Sequence, residues 1–279
     1  MDRVRPAEVL AALADLVLPR CCAGCGMPGA ALCAGCCALL AVPQVASPRR
    51  FPWGFPPTVA SGSYAGPIRP AVVAFKERGR VELAVPLGTG LALAVAAVVA
   101  GVAGARRPVL LVPLPSSAAA LRNRGRDHVR ELAGRAVAEL RAAGLPAEER
   151  LLLRRTGRLR DSAGLSAAER RANLHGTFAL VGGADPVPAE ALLVLVDDVV
   201  TTGATLTEAA AVLGAARRAD AAPVLAAVVA ATPRRNAPEP PVAEPPGPSA
   251  DCRDGDRGTS VEATTAPNGR SHGDRCPRP

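Results

Sequence analysis

The stretch LLVLVDDVVTTGATLTEAA, from Leu192 to Ala210, decides the fold of this chain. Its apolar start predicts a buried strand over Leu192 to Val196, which is followed directly by the carboxylates Asp197 and Asp198. A turn of small residues, TTGAT, comes next, and a helical pattern follows it. Successive N–H groups in such a turn, together with the positive end of the next helix, can bind a phosphate. The pattern therefore predicts a phosphate site between a strand and a helix.

This arrangement resembles the ribose-phosphate motif of type I phosphoribosyltransferases, in which two acids precede a Thr/Ser-Gly-Thr loop. The resemblance implies that Asp197 and Asp198 are the catalytic pair and contact the ribose 2′- and 3′-hydroxyls. It also implies that the 5-phosphate is cradled by Thr201, Thr202, Gly203, Ala204 and Thr205. The alternative interpretation is a tight strand-to-helix turn with ordinary N-capping.

Strands and helices alternate on both sides of this stretch. Apolar runs predict strands at Pro108–Pro115, Leu151–Leu153 and Val224–Ala231. Amphipathic spacing predicts a helix over Arg126–Ala143, and the helix after the TTGAT turn is predicted to cover Leu206–Ala219. Such alternation indicates an α/β protein with a parallel sheet. With the ribose-phosphate motif it leads us to expect a type I phosphoribosyltransferase fold over residues 58–232.

The N-terminal part of the chain is rich in cysteine, with six of its eight cysteines between Cys21 and Cys37. Two Cys-x2-Cys pairs separated by seven residues suit a tetrahedral structural zinc in a module at 18–41. Disulfides are the alternative, and the lack of a secretory signal disfavours them. The neighbouring Cys21 and Cys37 leave the exact set open by one position. The best ligand set is Cys22, Cys25, Cys33 and Cys36.

Charge and hydropathy bear on partners and location. The net charge is +8, and Arg106 to Arg171 holds fifteen arginines against seven acidic residues. Such a stretch suits the phosphates of a small substrate or of nucleic acid, although a solvated basic face is the alternative. The uncharged run Leu83 to Ala105 is long enough for a bilayer, but its glycines, Pro86 and helical spacing favour a soluble core helix. We expect a cytoplasmic protein without a membrane partner, whose Pro-rich tail at 233–279 is disordered.

The layout of a four-cysteine module followed by a phosphoribosyltransferase body resembles the ComF family, bacterial proteins named for competence, the uptake of transforming DNA. The resemblance extends from Leu18 to about Thr232. It rests on SYAGPIRPAVVAFKERGR, LVPLPSS, RNRG and LSAAERRANLHGTF, which are Ser63–Arg80, Leu111–Ser117, Arg122–Gly125 and Leu165–Phe178. The sequence GRDH at Gly125 to His128 departs from the Gly-Phe-Asn-Gln of many members, so acceptor contacts do not carry over.

The resemblance implies a reaction in which a nitrogen acceptor displaces pyrophosphate from 5-phosphoribosyl-1-pyrophosphate, helped by Mg²⁺. Pyrophosphate would be bound by the loop after the Pro108–Pro115 strand, with Ser116, Ser117, Arg122 and Arg124 as candidates. A lid over Gly157–Asn173 would exclude water. Two alternatives stay open: a non-catalytic ribosyl-phosphate sensor, and a DNA-uptake accessory protein that binds single-stranded DNA or competence and DNA-processing proteins.

Overall fold

The computed structural model describes residues 20–47, 52–102, 107–156, 176–183, 187–188, 190–218 and 221–233. The predicted lid at Gly157–Asn173 and nearly all of the predicted disordered tail lie outside these described residues. Within them, the chain forms an α/β structure with a mostly parallel central sheet. The helices are α1 (Ala34–Ala38), α2 (Ile68–Glu77), α3 (Ala84–Ala100), α4 (Ala118–Arg124), α5 (His128–Ala142) and α6 (Ala204–Ala215). The strands are β1 (Gln44–Val45), β2 (Thr58–Ser63), β3 (Val109–Pro113), β4 (Ala147–Glu149), β5 (Leu153–Arg155), β6 (Phe178–Leu180), β7 (Leu192–Val200) and β8 (Leu225–Ala231).

The central sheet has the strand order β1-β2-β8-β7-β3-β4. All neighbouring pairs are parallel except β1 and β2, and β5 and β6 form a separate antiparallel pair. Strand β7 therefore lies in the middle of the sheet, between β3 and β8. This position explains its unbroken apolar run, because a central parallel strand is covered on both faces.

The two faces of the sheet bury two separate apolar clusters. Side chains alternate along β7, so that Val194 joins the cluster under α2, α3 and α5, whereas Leu195 joins the cluster under α6. The strand pair β5 and β6 packs on the α6 face through Leu153 and Phe178. Both faces are therefore covered by helices, and the carboxyl ends of β3 and β7 are left to form a cleft.

Helix α3 is a core helix of this fold. With the preceding 3₁₀ turn it forms Val81–Ala100, which is long and apolar enough for a membrane span, with a mean hydropathy of 2.2. Its side chains Leu87 and Leu91 are nevertheless fully buried, and the helix packs against α5, β2 and β8. Gly90 allows α3 to lie close to β2, since a Cβ at this position would be 2.6 Å from Ser61 Oγ. The apolar character of the run is thus explained by packing inside the protein.

The predicted elements of the body are confirmed with small shifts of their ends. The strand predicted at Pro108–Pro115 is β3, the one at Val224–Ala231 is β8, and the helix at Arg126–Ala143 is α5. The strand beginning at Leu192 extends further than predicted, through Asp197 and Asp198 to Val200. The strand predicted at Leu151–Leu153 begins instead at Leu153, because Leu153 to Arg155 pair with β6.

The cysteine-rich segment is held to the body through its own apolar side chains. Cys22, Leu32, Cys36 and Leu40 are buried in the cluster shared with α2 and α3. Two nearby aromatic residues, Trp53 and Phe55, do not perform this role. Trp53 is fully exposed, and Phe55 packs on the opposite, α6 face of the sheet.

Candidate functional site

A cleft of about 490 Å³ lies at the carboxyl ends of β3 and β7. This is the edge at which open parallel sheets bind their ligands. The side chains around the cleft come from the end of β2, α2, the β3–α4 loop, α4, α5, β5, β7 and the start of α6. Its charged and polar lining consists of Tyr64, Lys76, Glu77, Ser116, Ser117, Arg124, His128, Arg155, Asp197, Asp198, Thr201 and Thr205.

Asp198 is the buried centre of the cleft, with only 3% of the residue exposed. Its Oδ2 atom lies 2.7 Å from Lys76 Nζ and 3.3 Å from His128 Nε2. Burial by itself raises the pKa of Asp198, but the His128 contact and the Lys76 charge outweigh it and hold the pKa well below its usual range. The carboxylate is therefore ionised at neutral pH.

Asp197 behaves in the opposite way to its neighbour. Burial, and then the negative charge of Asp198, raise the pKa of Asp197 well above its usual value. Its Oδ1 accepts a hydrogen bond from the backbone N–H of Asp198 at 2.8 Å. The pair thus combines one firmly ionised carboxylate with one that binds a proton readily, which suits a mixed set of hydroxyl donors and acceptors.

His128 connects the acid pair to a second ion pair. Arg124 Nη1 lies 3.5 Å from His128 Nδ1, and an arginine can only donate, so Nδ1 is the acceptor. The other ring nitrogen, Nε2, faces Asp198 Oδ2 at 3.3 Å. Arg124 is itself held by Glu77, whose two oxygens accept from Arg124 Nε and Nη2 at 3.1 and 2.9 Å. His128 is thus contacted at Nδ1 by Arg124, while its Nε2 lies close to Asp198 without hydrogen-bond geometry.

The TTGAT turn is bent by Gly203, which has a left-handed φ of 76° immediately before α6. Glycine adopts this conformation without the steric cost that other residues meet. The backbone N–H of Ala204 points to Thr202 Oγ1 at 3.5 Å, and Thr207 Oγ1 donates to Gly203 O. Thr201 and Thr205 face the cleft, so the turn brings the start of α6 to its edge.

The four residues predicted to bind pyrophosphate lie in different environments. Ser116 lines the cleft and donates to Asp127 Oδ1 at 3.3 Å. Ser117 also lines the cleft and caps α4, where its Oγ accepts from Ala120 N–H. Arg124 lines the cleft but is paired with Glu77, and Arg122 is exposed and does not line it. The structure therefore brings Ser116, Ser117 and Arg124 to the acid pair and places Arg122 elsewhere.

Five polar cleft residues were not predicted as site residues from the sequence: Tyr64, Lys76, Glu77, His128 and Arg155. The signal for Lys76 is that it is the only lysine of the chain, and it follows a buried Phe75 on α2. Asp127 N-caps α5 by accepting from Arg130 N–H at 3.4 Å, which places His128 at the first helical position. Nothing in the spacing of the sequence connects these residues to Asp198, because the fold alone brings them together.

The predicted zinc ligands form one cluster. The sulfur atoms of Cys22, Cys25, Cys33 and Cys36 all lie within 4.8 Å of one another, and Cys25 Sγ is 3.5 Å from Cys33 Sγ. Four sulfurs around a tetrahedral zinc are about 3.8 Å apart, so the cluster could hold a metal such as zinc.

The thiol chemistry of the cluster fits this interpretation. Although burial raises the pKa of the Cys22 thiol, the N–H groups of Cys25, Cys33 and Gly24 more than offset it and lower the pKa to about 6. Burial raises the pKa of Cys36. Four buried or half-buried thiols that crowd together in this way need a cation to become thiolates together.

No family model matches the chain, and no curated protein is similar enough to it to count as a match. The class of this protein is therefore described from its own fold and sites. It is an α/β protein with a mostly parallel sheet, a four-cysteine cluster near its N-terminus, and a charged cleft at the carboxyl ends of the strands.

Proposed function

We propose that the cleft binds 5-phosphoribosyl-1-pyrophosphate, that the fold is of the type I phosphoribosyltransferase kind, and that the chain has the layout of a ComF family protein. One observation carries the proposal. Two adjacent acids lie near the carboxyl end of the central strand, and a glycine turn and a helix N-terminus follow that strand at the same cleft. This combination offers carboxylates to sugar hydroxyls and N–H groups to a phosphate in a single place.

The acids would bind the ribose ring. Asp198 is ionised and accepts hydrogen bonds from the ribose hydroxyls, while Lys76 and His128 hold its position. Asp197, whose pKa is raised, binds the second hydroxyl without placing a second full negative charge beside the phosphate. The turn from Thr201 to Thr205 receives the 5-phosphate at the start of α6.

The reaction would be displacement of pyrophosphate by a nitrogen acceptor. The chain assists by stabilising charge on the leaving group with cations already placed at the cleft, which is the largest contribution that a rigid site makes. Mg²⁺ would neutralise the phosphates of the donor. Two cleft carboxylates of the described residues, Asp198 and Glu77, are already paired with Lys76 and Arg124, so the ion would arrive with the donor.

The cysteine cluster would hold a structural zinc through Cys22, Cys25, Cys33 and Cys36. All four positions of a tetrahedral ion are then filled by the protein, so no open position is left for catalysis. Its work is to order a segment that is too short to fold by itself.

The DNA-binding alternative has weaker support. Many arginines of the basic stretch are paired with carboxylates of the same fold, including Arg126 with Glu131 and Arg130 with Glu149. Charges neutralised in this way contribute little to counterion release from DNA. The sensor alternative uses the same cleft as the transferase, and only product formation separates the two.

Calorimetric titration of the full chain with 5-phosphoribosyl-1-pyrophosphate and Mg²⁺ tests the proposal. We expect micromolar binding, about 8 kcal/mol at 1 μM. The variant Asp197→Asn/Asp198→Asn should lose at least about a hundredfold in affinity, since both sugar contacts are weakened. The matched control is Glu190→Gln, which changes an exposed acid just before β7 that does not line the cleft.

Two outcomes would contradict the proposal. One is the absence of donor binding to the folded, zinc-loaded wild type. The other is equal affinity in the double variant and in Glu190→Gln. Tight binding of single-stranded DNA with a steep salt dependence, without any donor binding, would favour the accessory role instead.

A further inference from the structure

Lys76, in the last turn of α2, supplies a positive charge directly to the acid pair. Its Nζ atom lies 2.7 Å from Asp198 Oδ2, and its side chain is 31% exposed and lines the cleft. Burial lowers the pKa of Lys76, but the charge of Asp198 and the contact with it outweigh burial and raise the pKa. The ammonium is therefore charged at neutral pH and lies between the buried carboxylate and the cleft.

Three of the four carboxylate oxygens of the acid pair are already in contact with groups of the chain. Asp198 Oδ1 accepts from the backbone N–H of Val199 at 2.8 Å, and Asp197 Oδ1 accepts from that of Asp198 at 2.8 Å. Asp198 Oδ2 contacts Lys76 and faces His128 Nε2 at 3.3 Å. Mg²⁺ requires near-octahedral oxygen ligands at about 2.0–2.1 Å. An ion at Asp198 would have to share Oδ2 with the ammonium, and the two positive charges would repel each other.

The position of Lys76 on α2 is fixed by the residues on either side of it. The preceding Phe75 is fully buried, and its carbonyl oxygen accepts from Arg126 Nη1 at 3.1 Å. The following Glu77 accepts two hydrogen bonds from Arg124, at 2.9 and 3.1 Å. Lys76 therefore stands on a packed stretch of helix that holds its side chain beside the acid pair.

The residue type at this position suits a substitute for a metal ion. Lys76 is the only lysine among the 33 lysines and arginines of the chain. An ammonium is a compact point charge whose donors can rotate, whereas a guanidinium is a planar fork. A compact charge on Asp198 Oδ2 can neutralise the carboxylate and still donate to a hydroxyl in the cleft. This is the work that a small divalent cation would otherwise do at the acid pair.

We propose that Lys76 is a built-in cation of the acid pair, which takes the place of a divalent ion beside Asp198 and lets the cleft bind the ribose 5-phosphate part of the donor without a metal. This proposal rests on the proposed function, since it concerns the same cleft and the same donor. Mg²⁺ is then required only by the pyrophosphate group, with which it would arrive. Removal of the Lys76 charge should convert a metal-independent site into a metal-dependent one.

Titration of the full, zinc-loaded chain with Mn²⁺ tests whether Lys76 excludes a metal ion from the acid pair. Mn²⁺ prefers the same oxygen ligands as Mg²⁺, and the electron paramagnetic resonance signal of the free ion measures its binding. We expect Lys76→Met to bind a further Mn²⁺ ion relative to wild type, and Lys76→Met/Asp198→Asn to lose it again. Arg78→Met is the matched control, because it removes the same charge at the exposed end of α2, does not line the cleft, and should gain no ion.

Calorimetric titration with ribose 5-phosphate, in the presence and in the absence of Mg²⁺, tests the consequence for the ligand. The two affinities of the wild type should agree within about twofold. Lys76→Met should lose at least about tenfold without Mg²⁺, because Asp198 then lacks the ammonium that holds it ionised, and Mg²⁺ should restore most of this loss. Lys76→Arg keeps the charge and guards against a folding defect. It should gain no Mn²⁺ ion, and its affinity should stay independent of Mg²⁺.

The outcomes separate this proposal from the proposed function. A wild type that binds ribose 5-phosphate only with Mg²⁺ overturns the built-in cation and leaves the proposed function standing. A folded Lys76→Met that binds no further Mn²⁺ and does not respond to Mg²⁺ has the same meaning, as does a Lys76→Arg that gains a Mn²⁺ ion. A wild type that binds neither ribose 5-phosphate nor 5-phosphoribosyl-1-pyrophosphate overturns the proposed function and this proposal together.

Discussion

The cysteine cluster and the cleft are both polar sites in an apolar protein, but they are assembled in opposite ways. The cluster takes its four sulfurs from Cys22 to Cys36, a single short segment with little regular structure. The cleft takes Lys76, His128 and Asp198 from three elements that are far apart in the chain. The cluster could therefore be ordered by a metal held within one short segment, whereas the cleft is held in shape by the packed sheet beneath it.

The two sites are nevertheless connected through α2. Arg80, just after α2, donates from Nη1 to the carbonyl oxygen of Cys21 at 2.9 Å. At the other end of the helix, Gly24 lies so close to Pro67 that a Cβ would be 2.9 Å from Pro67 O. Since α2 carries Lys76, a disturbance of the cysteine segment should reach the cleft.

Removing two of the four sulfurs is the strongest way to test this comparison. We expect Cys22→Ser/Cys36→Ser to lose bound zinc and more than about 5 kcal/mol of unfolding free energy, because metal binding supplies the folding energy of such segments. Cys37→Ser is the control and should keep one zinc per chain, as Cys37 only donates to Leu32 O. Metal analysis together with urea unfolding measures both quantities, and full zinc occupancy in the double variant would refute the ligand assignment.

The next largest effect is expected for Lys76→Met, which leaves the buried Asp198 carboxylate without its main cation. Breaking a buried ion pair costs about 3–5 kcal/mol, and because Lys76 is 31% exposed we expect roughly 2–3 kcal/mol. Arg78→Met, an exposed change at the end of α2, should cost less than about 0.5 kcal/mol.

The destabilisation by Lys76→Met should also depend on pH. The folded pKa of Asp198 is depressed, so its ionised form adds stability above the unfolded pKa near 3.9, and this contribution is lost as the pH falls below it. The difference between Lys76→Met and wild type should therefore shrink below about pH 4. Urea unfolding at several pH values measures this difference in stability. A difference that does not change with pH would argue against the ion pair of Lys76 and Asp198.

Asp197→Asn should have a smaller and opposite effect. The pKa of Asp197 is raised in the folded protein. The protein therefore loses stability as the pH rises from about 3.9, where the unfolded group ionises, up to the pH at which the folded group ionises too. The variant should thus become more stable than wild type by about 1 kcal/mol at neutral pH, while donor binding weakens. Unfolding at pH 4 and pH 8 shows the trend, and a variant that is less stable at pH 8 than at pH 4, relative to wild type, would contradict it.

The last comparison is between two glycines, Gly203 at the N-cap of α6 and Gly134 within α5. Gly203→Ala forces an L-residue into the left-handed conformation and should cost about 1–2 kcal/mol. Gly134 is exposed within α5 and has open space at its Cβ, so Gly134→Ala should stabilise by up to about 1 kcal/mol. Thermal unfolding checks both signs. Only Gly203→Ala should also weaken donor binding, and a stabilising Gly203→Ala would contradict the turn geometry.

The parts of the structure that could be predicted from sequence are those set by local pattern. The apolar run of β7 predicts a buried strand, and the spacing of the cysteines predicts their cluster, because each signal lies within one short segment of the chain. The end of β7 was harder to predict. Asp197 and Asp198 lie inside the strand because β8 continues to pair with them, which no local signal shows.

The cleft was predicted only in part, because some of its residues are far apart in the sequence. The acids and the glycine turn are contiguous in sequence and could be identified, whereas Lys76, His128 and Arg155 reach the site through tertiary packing. Arg122 was predicted, like Arg124, because it follows the loop after the Pro108–Pro115 strand, but on the short helix α4 only Arg124 lines the cleft. Residues two positions apart on a helix do not share a face.

A crystal structure of the full chain with 5-phosphoribosyl-1-pyrophosphate and Mg²⁺ is the most direct test of the central claim. The account predicts ribose hydroxyls within hydrogen-bond distance of Asp197 and Asp198, and a 5-phosphate against the backbone of Thr201 to Thr205. A donor bound away from the acid pair, or bound with its phosphate far from α6, would contradict the assignment of this cleft as a phosphoribosyl site.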